Sequence, residues 1–512
     1  MADDPQDDTG DSSVAAASMQ DNGPRPNIVL ILSDDMGYGD PGYNGGDRLL
    51  TPNIDRLAGQ GMRMKQFYAH SVCAPTRAAL MTGRYAFRNW MDWRSEDFGK
   101  PSYLAKLNLE VASTADGTPT RMLHGLDSSE KTIAETLRDA GYFTAQIGKW
   151  HLGEWLDEQL PMGQGFMHQY GHYGWGIDYN SYAIPHNAPA RFAVYDWHRN
   201  QQPLDEQGYS TDLIANEAVR LISQQSADRP FFLYVPFNAI HGPLEEIPRY
   251  TGTMDKRSAA LKCLDDGVGR IMGALQQYDF ELNTILVFCN DNGGLTEAVN
   301  RPYRGTKNTT FEGGVRVPCV MRWPAHLPAG SQSDAMMHVV DLLPTLTAIA
   351  GGSTDQCRPL DGFDMSNVLL RDAKNPRTEI IYDVEGCVRL PTIRSGDYKL
   401  MGDMLFNVIQ DPKEQNDVAD DHPEIVQRLR QRLLAVGKER PPLQVVLGNP
   451  PRLMETPLPF VYGQKEDAIA PAWLKRRIQA VRDGQPQQWA PGTTPWPQAP
   501  TGATIQYSGD GR

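Results

Sequence analysis

"NIVLILSDD", residues 27–35, is the stretch on which the fold turns. Residues 27–33, with a continuous apolar run from Ile28 to Leu32, have the pattern of a strand buried on both faces, and the stretch leads directly into Asp34 and Asp35. Four further stretches read the same way: "YFTAQIG" (142–148), "PFFLYVP" (230–236), "TILVFC" (284–289) and "VRVPCVMRW" (315–323). Helical patterns lie between them: "SEKTIAETLRDAG" with Ser129 as its cap, "STDLIANEAVRLISQQ" and "KRSAALKCLDDGVGRIMGALQQ", while "IDRLAGQG" ends a short helix at glycine. Strands alternating with helices predict an α/β fold, a large mixed, mostly parallel sheet sandwiched by helices.

Working outward, the chain has 512 residues, beyond the roughly 250–300 at which a single core stops growing. Residues 1–24 read as a solvated acidic tail, 25–380 as the main α/β domain, and 381–440 as a small antiparallel C-terminal subdomain of short strands and one helix, "PEIVQRLRQRLLAVG". Residues 441–512, rich in proline, glycine and glutamine with Trp473, Trp489 and Trp496, read as an irregular extension. The formal net charge of -14 argues against a nucleic-acid binder, because the long-range field repels phosphate. Any anionic ligand must therefore meet a local basic cluster. The six cysteines form no CxxC pair and no disulfide scaffold. No apolar run approaches the roughly 20 residues of a membrane span, and the start "MADDPQDDTGDSS" lacks the basic and apolar regions of a signal peptide. The expected compartment is the cytoplasm as the sequence is written, and periplasmic or secreted if a leader has been removed.

Chemistry gathers at strand ends. "TILVFC" runs into Asn290, Asp291 and Asn292, as "NIVLILS" runs into Asp34 and Asp35. In a parallel sheet both tips open on the carboxyl edge, where open α/β folds bind ligands. Three carboxylates and an amide oxygen are a hard-oxygen set, suited to calcium or magnesium; zinc would call for histidine or cysteine. Aspartates also end strands simply as turn residues. The segment "SVCAPTRAALMTGR" (71–84) carries C-x-P-x-R-x-x-x-x-T-G, with Cys73, Pro75, Arg77, Thr82 and Gly83 at the fixed places. Five fixed positions recur by chance in roughly one chain of this length in 10⁴. Pro75 suits the first turn of a helix, which places Cys73 at a helix N-terminus where free N–H groups favour negative charge.

These motifs, together with "LSDDMGYGDPGYNGG", "TPNIDRLAGQG", "GKWHLG", "NAIHGPL", "CNDNGG" and "RGTKNTTFEGGVRVP", resemble the type I, formylglycine-dependent sulfatases of the alkaline phosphatase superfamily. The likeness runs from about residue 26 to 435, with spacing most like the branch containing arylsulfatase B. It implies an alkaline phosphatase-like fold and sulfate ester hydrolysis. It further implies that Cys73 is converted to formylglycine by a maturation enzyme that reads Pro75 and Arg77. The hydrated aldehyde, a geminal diol, would be the nucleophile: one hydroxyl attacks sulfur and the other later expels sulfate. Carried over residue by residue, Asp34, Asp35, Asp291 and Asn292, with position 73 itself, would hold calcium (magnesium being the alternative). Arg77 and Lys149 would position and acidify the diol, His151 would act as base, and His241 with Lys307 would bind sulfate and protonate the departing oxygen.

For the substrate, the aromatic and histidine-rich stretch after "GKWHLG" suits a sugar ring, making His172, Tyr173, Trp175, Asp178, Tyr179, Trp197 and His198 candidate sugar contacts, with the insertion at 99–127 as a further wall. The expected partner is a sulfated small molecule or oligosaccharide. Two rival readings use the same residues: a phosphonate or phosphate monoester hydrolase of the same superfamily, and a non-catalytic sulfoglycan-binding protein with an unconverted Cys73.

Overall fold

The computed structural model describes residues 24–89, 91–92, 125–153, 157–182, 195–385 and 389–441, with short pieces at 111–113, 119–122, 447–448 and 476. The acidic tail, most of the 99–127 insertion and nearly all of 441–512 lie outside the described residues, and with them the expectations placed on those segments. In chain order the main body is built from β1 (Asn27–Ser33), α1 (Pro52–Gln60), β2 (Met62–Tyr68), α2 (Cys73–Thr82), α3 (Ile133–Asp139), β3 (Phe143–Lys149), β4 (His168–His172), α4 (Ser210–Ser223), β5 (Phe231–Pro236), α5 (Lys256–Gln277), β6 (Thr284–Asn290), β7 (Cys319–Arg322), β8 (Ser331–His338) and α6 (Leu342–Ile349).

The strands form one ten-stranded sheet in the order β8-β2-β7-β6-β1-β5-β3-β4, completed by two short edge strands at 198–199 and 202–203. β1 lies at its centre, parallel to β6 on one side and β5 on the other. β3 continues the parallel run from β5 to β4. The continuous apolar run of β1 follows from burial on both faces, because successive side chains point to opposite sides of a strand. Ile28, Leu30 and Leu32 enter the core shared with Ala74 and Ala78 of α2 and Leu137 of α3. Val29 and Ile31 enter the opposite core, with Ile54 and Leu57 of α1 and Leu264 and Ile271 of α5.

Several local readings need correction. Thr132, not Ser129, caps α3: its side chain accepts from the Glu135 amide while the Glu135 carboxylate accepts from the Thr132 amide. Ser129 is spent on the preceding turn, donating to Asp127 at 2.7 Å. The run at 315–323 yields only the four residues of β7, antiparallel to β6, because 312–315 coil into a helical turn first. At Gly148 a Cβ would lie 2.0 Å from the Pro236 carbonyl oxygen, and φ is +131°, so glycine alone lets β3 pass so near β5 just before Lys149.

A second, antiparallel sheet follows: β9 (Glu379–Asp383), β10 (Thr392–Ser395), β11 (Tyr398–Met401) and β12 (Met404–Asn407), with α7 (Pro423–Gly437) laid on it. Its apolar residues Ile380, Ile393, Leu400 and Leu405 join the same core as α2, so this sheet shares a hydrophobic interior with the main body. No helix among the described residues is long and apolar enough to cross a membrane.

Candidate active site

The tips of β1 and β6 open on one edge of the sheet. Their register pairs Ser33 with Asn290, and the Ser33 hydroxyl donates to Asn290 Oδ1 at 2.8 Å. Asn290 in turn donates from Nδ2 to the Met36 carbonyl at 2.7 Å. This bracing sets the two acidic turns side by side: the Asp35 amide donates to Asp291 Oδ1 (3.4 Å) and Asn292 Nδ2 to Asp35 Oδ1 (2.8 Å). The loop after β5 is clamped to the same place, the Asp34 amide donating to the Ala239 carbonyl (2.9 Å) and the Ile240 amide to the Asp34 carbonyl (2.7 Å). That clamp brings in His241.

Cys73 is the first residue of α2, whose N-cap, Val72, offers no side-chain acceptor. One turn on, Arg77 is fully buried and welds the strand tips together. Its Nη2 donates to Asp291 Oδ2 (2.8 Å) and Asp34 Oδ2 (3.1 Å), and its Nη1 to the Lys149 carbonyl (3.1 Å). Lys149, the last residue of β3, pairs with Asp34 Oδ2 at 2.5 Å. Lys307 pairs with Asp35 Oδ1 at 2.5 Å from the opposite side. Its loop is tied down where the Asn308 amide donates to the Ser71 carbonyl (2.9 Å), beside the start of α2.

Burial alone would raise Asp34, but Lys149, His241, Arg77 and Lys307 outweigh it and hold this carboxylate well below the usual range. Asp291 faces burial and the Asp34 charge together and is pushed up. Burial pushes the Cys73 thiol up, more than Lys149 and Lys307 pull it down. An unmodified Cys73 is therefore a protonated thiol, a poor nucleophile. His241 is lowered to about 4 by burial and by Lys307 and Lys149, and His151 is lowered by burial, Lys149 and Arg77. His241 Nδ1 lies 2.6 Å from the Gly242 carbonyl oxygen, so it carries the proton and leaves Nε2 facing Asp35 Oδ2 at 3.8 Å.

Three oxygens here are buried without a hydrogen-bond partner: Asp34 Oδ1, Asp35 Oδ2 and Asn292 Oδ1. Asp34, Asp35 and His241 each bring one ligand atom within 4.8 Å of the others. Orphaned carboxylate and amide oxygens are the donors a hard divalent cation takes, so the residues fit such an ion. Asp291 enters the cluster through Asp35, with its Oδ2 occupied by Arg77.

The expected sugar contacts fare differently. His172, Tyr173, Tyr179, Trp197 and His198 are buried to within about 1% of full burial and pack the fold. Tyr173 stacks on His198 at 4.7 Å, Tyr179 on Tyr209 at 4.7 Å, and Trp197 on Tyr182 at 4.8 Å. Asp178 is buried in the turn to Tyr182. In this structure these six side chains are buried and make packing and positioning contacts within the fold. Tyr179 shows the second kind, donating to the carbonyls of His241 (2.7 Å) and Asn238 (3.1 Å) and so fixing the His241 turn. Only Trp175 stays partly exposed, edge-on to His241 at 5.8 Å.

The sequence reading also missed a buried ion network behind Lys307. Lys399 of β11 lies between Glu312 (2.9 Å) and Glu414 (2.5 Å), all three without solvent exposure, and donates to the Thr310 carbonyl (2.9 Å). Tyr68 of β2 donates to Glu312 Oε2 at 2.8 Å. Glu312 stands inside a quoted motif, but no local signal ties it to a lysine 87 residues away.

With that geometry in hand, comparison with known proteins gives a consistent result. A family model described as Sulfatase matches residues 26–352, and one described as N-sulphoglucosamine sulphohydrolase, C-terminal, matches 306–439. The chain is 35% identical over 380 residues to N-acetylgalactosamine-6-sulfatase of Mus musculus, covering 70% of this chain and 68% of the relative. It is 33% identical over 428 residues to Arylsulfatase G of Rattus norvegicus, covering 73% and 75%. Among solved structures, Ps i-CgsB in complex with k-i-k-neocarrahexaose superposes with a TM-score of 0.69 at 28% identity, covering 81% of this chain and 94% of that one.

Proposed function

The chain belongs to the sulfatase family, and from that premise we propose that it hydrolyses sulfate esters of a sulfated carbohydrate through formylglycine at position 73 and a calcium ion held at the tips of β1 and β6. The carrying observation is the convergence of Asp34, Asp35, Asp291 and Asn292 from strand tips some 250 residues apart in sequence, beside a buried cysteine at a helix start. The carbohydrate follows from the relatives: one is named for a sulfated amino sugar and a structural neighbour is complexed with an oligosaccharide.

Asp34 Oδ1, Asp35 Oδ2 and Asn292 Oδ1, with Asp291 beside them, would hold the cation. Bound there, the ion supplies Lewis acidity toward a sulfate oxygen. Formylglycine supplies, as its hydrate, the attacking hydroxyl. The chain's own groups do the rest. Arg77 fixes the relation between Asp34, Asp291 and the helix carrying position 73. Lys149 and Lys307 place positive charge where negative charge collects on sulfate oxygens. His151, neutral because it is buried among cations, is able to accept a proton from the hydroxyl at position 73. His241 presents Nε2 toward the departing oxygen, and an anionic ester at this spot raises its proton affinity toward that of an acid.

Because Cys73 is 4% exposed and Arg77 is fully buried, the maturation enzyme must meet this segment before the fold closes over it. Mass spectrometry of the peptide containing residue 73, after expression with that enzyme, should find formylglycine. The substitution Cys73→Ala should abolish turnover of a sulfated sugar and of an aryl sulfate, leaving the far-ultraviolet dichroism and the unfolding midpoint unchanged. Retained turnover in that variant would overturn the mechanism, and faster turnover of an aryl phosphonate than of the aryl sulfate would overturn the substrate class.

A further inference from the structure

A cavity of about 410 Å³ opens from the site beside Asp35, within the roughly 300–1,000 Å³ typical of small-ligand pockets. Its inner wall includes Ile240 and Gly242, the residues on either side of His241. Resting on the sulfatase reading above, we propose that this cavity seats the sugar from which sulfate is cleaved, and that it selects a neutral hexose ring bearing a single sulfate over one bearing a second anionic group.

The position follows from the chemistry of the leaving group. If His241 delivers the proton to the departing oxygen, the sugar attached to that oxygen must extend past His241; Trp175 and Gly176 stand on one side of the ring, and the cavity is lined by the residues before and after it, Ile240 and Gly242. The floor suits the C–H face of a pyranose, since Ile240, Leu244 and Leu295 supply apolar surface, and Leu295 is 45% exposed.

The selectivity follows from the charges. The basic residues on the wall, Lys256 and Arg257, are matched by Asp255 and Glu297. Arg257 is already committed to buried Asp40 at 2.5 Å, and Asp255 is committed to capping α5, accepting from the amides of Arg257 and Ser258. That leaves Lys256 and the exposed Glu297 to meet a ligand. The distance from Lys256 to Glu246 is 3.9 Å with both ends about half exposed, a contact too loose to hold the lysine in place. One cation and one carboxylate over an apolar floor can hydrogen-bond hydroxyls from two sides, but they provide no surplus positive charge for a second sulfate or a uronate. The further cations of the site, Lys149 and Lys307, are already paired with Asp34 and Asp35.

The test compares kcat/KM of the matured full-length protein on N-acetylgalactosamine 6-sulfate and N-acetylgalactosamine 4,6-disulfate, with a small aryl sulfate as reference and inorganic sulfate as a competitive inhibitor. Wild type should favour the monosulfated sugar tenfold or more. Glu297→Lys should shift that ratio toward the disulfated sugar by tenfold or more, a gain that misfolding cannot mimic. Leu295→Trp should lower kcat/KM for both sugars while inhibition by inorganic sulfate stays within twofold. The inference is overturned if Glu297→Lys leaves the ratio within twofold, if Leu295→Trp leaves sugar turnover unchanged, or if wild type cleaves the aryl sulfate and neither sugar. Failure of wild type on every sulfate ester would instead remove the sulfatase reading, and the inference with it.

Discussion

Replacing Lys399 by methionine should cost this protein about 3–5 kcal/mol of stability at neutral pH, although Lys399 lies outside the site and on the smaller sheet. The methionine keeps most of the side-chain volume and removes the charge. What remains is a pair of buried carboxylates, Glu312 and Glu414, that shared the ammonium at 2.9 and 2.5 Å. Breaking a buried ion pair from one side leaves an uncompensated charge, worth about 3–5 kcal/mol. An independent route gives a similar figure. Burial works against the Glu312 carboxylate, but Lys399, Arg316 and Arg394 together hold its pKa at about 2 against an ordinary 4.5. At roughly 1.4 kcal/mol per pH unit that gap is worth about 3 kcal/mol for the three cations together, with Lys399 the largest contributor. Because the folded pKa is depressed, this contribution is present in full above pH 4.5 and is lost as pH falls toward 2. The variant's deficit should therefore be large at pH 7.5 and shrink by pH 3, inside the window between 4.5 and 2 where the carboxylate is protonated. Urea unfolding followed by dichroism at both pH values measures it. Adding Glu414→Gln to Lys399→Met should restore part of the loss by removing one of the two facing charges. A deficit below about 1 kcal/mol at pH 7.5, or a double variant no more stable than the single one, would refute the reasoning.

Two further outcomes can be checked with the same protein. Stripping the matured enzyme with a calcium chelator should abolish activity and lower its melting temperature, because Asp34 Oδ1, Asp35 Oδ2 and Asn292 Oδ1 are then buried without a partner. Restoring calcium to 100 times its dissociation constant should return about 2.7 kcal/mol, and a melting temperature indifferent to both treatments would contradict the cation site. Asp265 of α5 accepts from the amides of Asn53 and Ile54 at the start of α1, and burial pushes it up to about 6 from 3.8. Since the folded value is raised, its contribution is full below pH 3.8 and is lost as pH rises through 6. Asp265→Asn should accordingly gain about 2.4 kcal/mol relative to wild type between pH 4 and 7.5 in urea titrations, and a constant difference across that range would contradict it.

The parts of the fold and site that could be read from sequence are those where one local pattern has one physical cause. β1 is legible because five apolar residues in a row, Ile28 to Leu32, have no other use than burial on both faces, and the 22 residues of α5 are legible from their period. The placement of Asp34 and Asp291 together follows from the parallel pairing of β1 with β6. β2 and β8 escape notice because polar residues alternate through them at the sheet's edge, as in "MRMKQFY". The aromatic stretch after β4 is ambiguous for a different reason. A tyrosine stacking on a sugar and one stacking on Tyr209 have the same composition and spacing, and only the accessible surface tells them apart. The Glu312–Lys399–Glu414 network is invisible for a third reason, since pairing at that separation is decided by how the second sheet docks.

The charges at the site explain how an acidic protein can bind an anion at all. Arg77, Lys149 and Lys307 are paired with Asp34, Asp35 and Asp291, and with both histidines lowered by burial the fixed charges cancel when all three carboxylates are ionised. A neutral cluster has no net attraction for a sulfate ester, and the field of the whole chain opposes its approach. On the proposed reading a divalent cation leaves two positive charges unbalanced, in a pocket where low polarisability magnifies them. One offsets the ester's own negative charge. The other remains for the charge that develops as the sulfur–oxygen bond breaks, next to Lys307 and His241. The same three lysine and arginine groups that would attract sulfate in isolation are needed first to hold three buried carboxylates together, so anion binding and cation binding at this site stand or fall as one property.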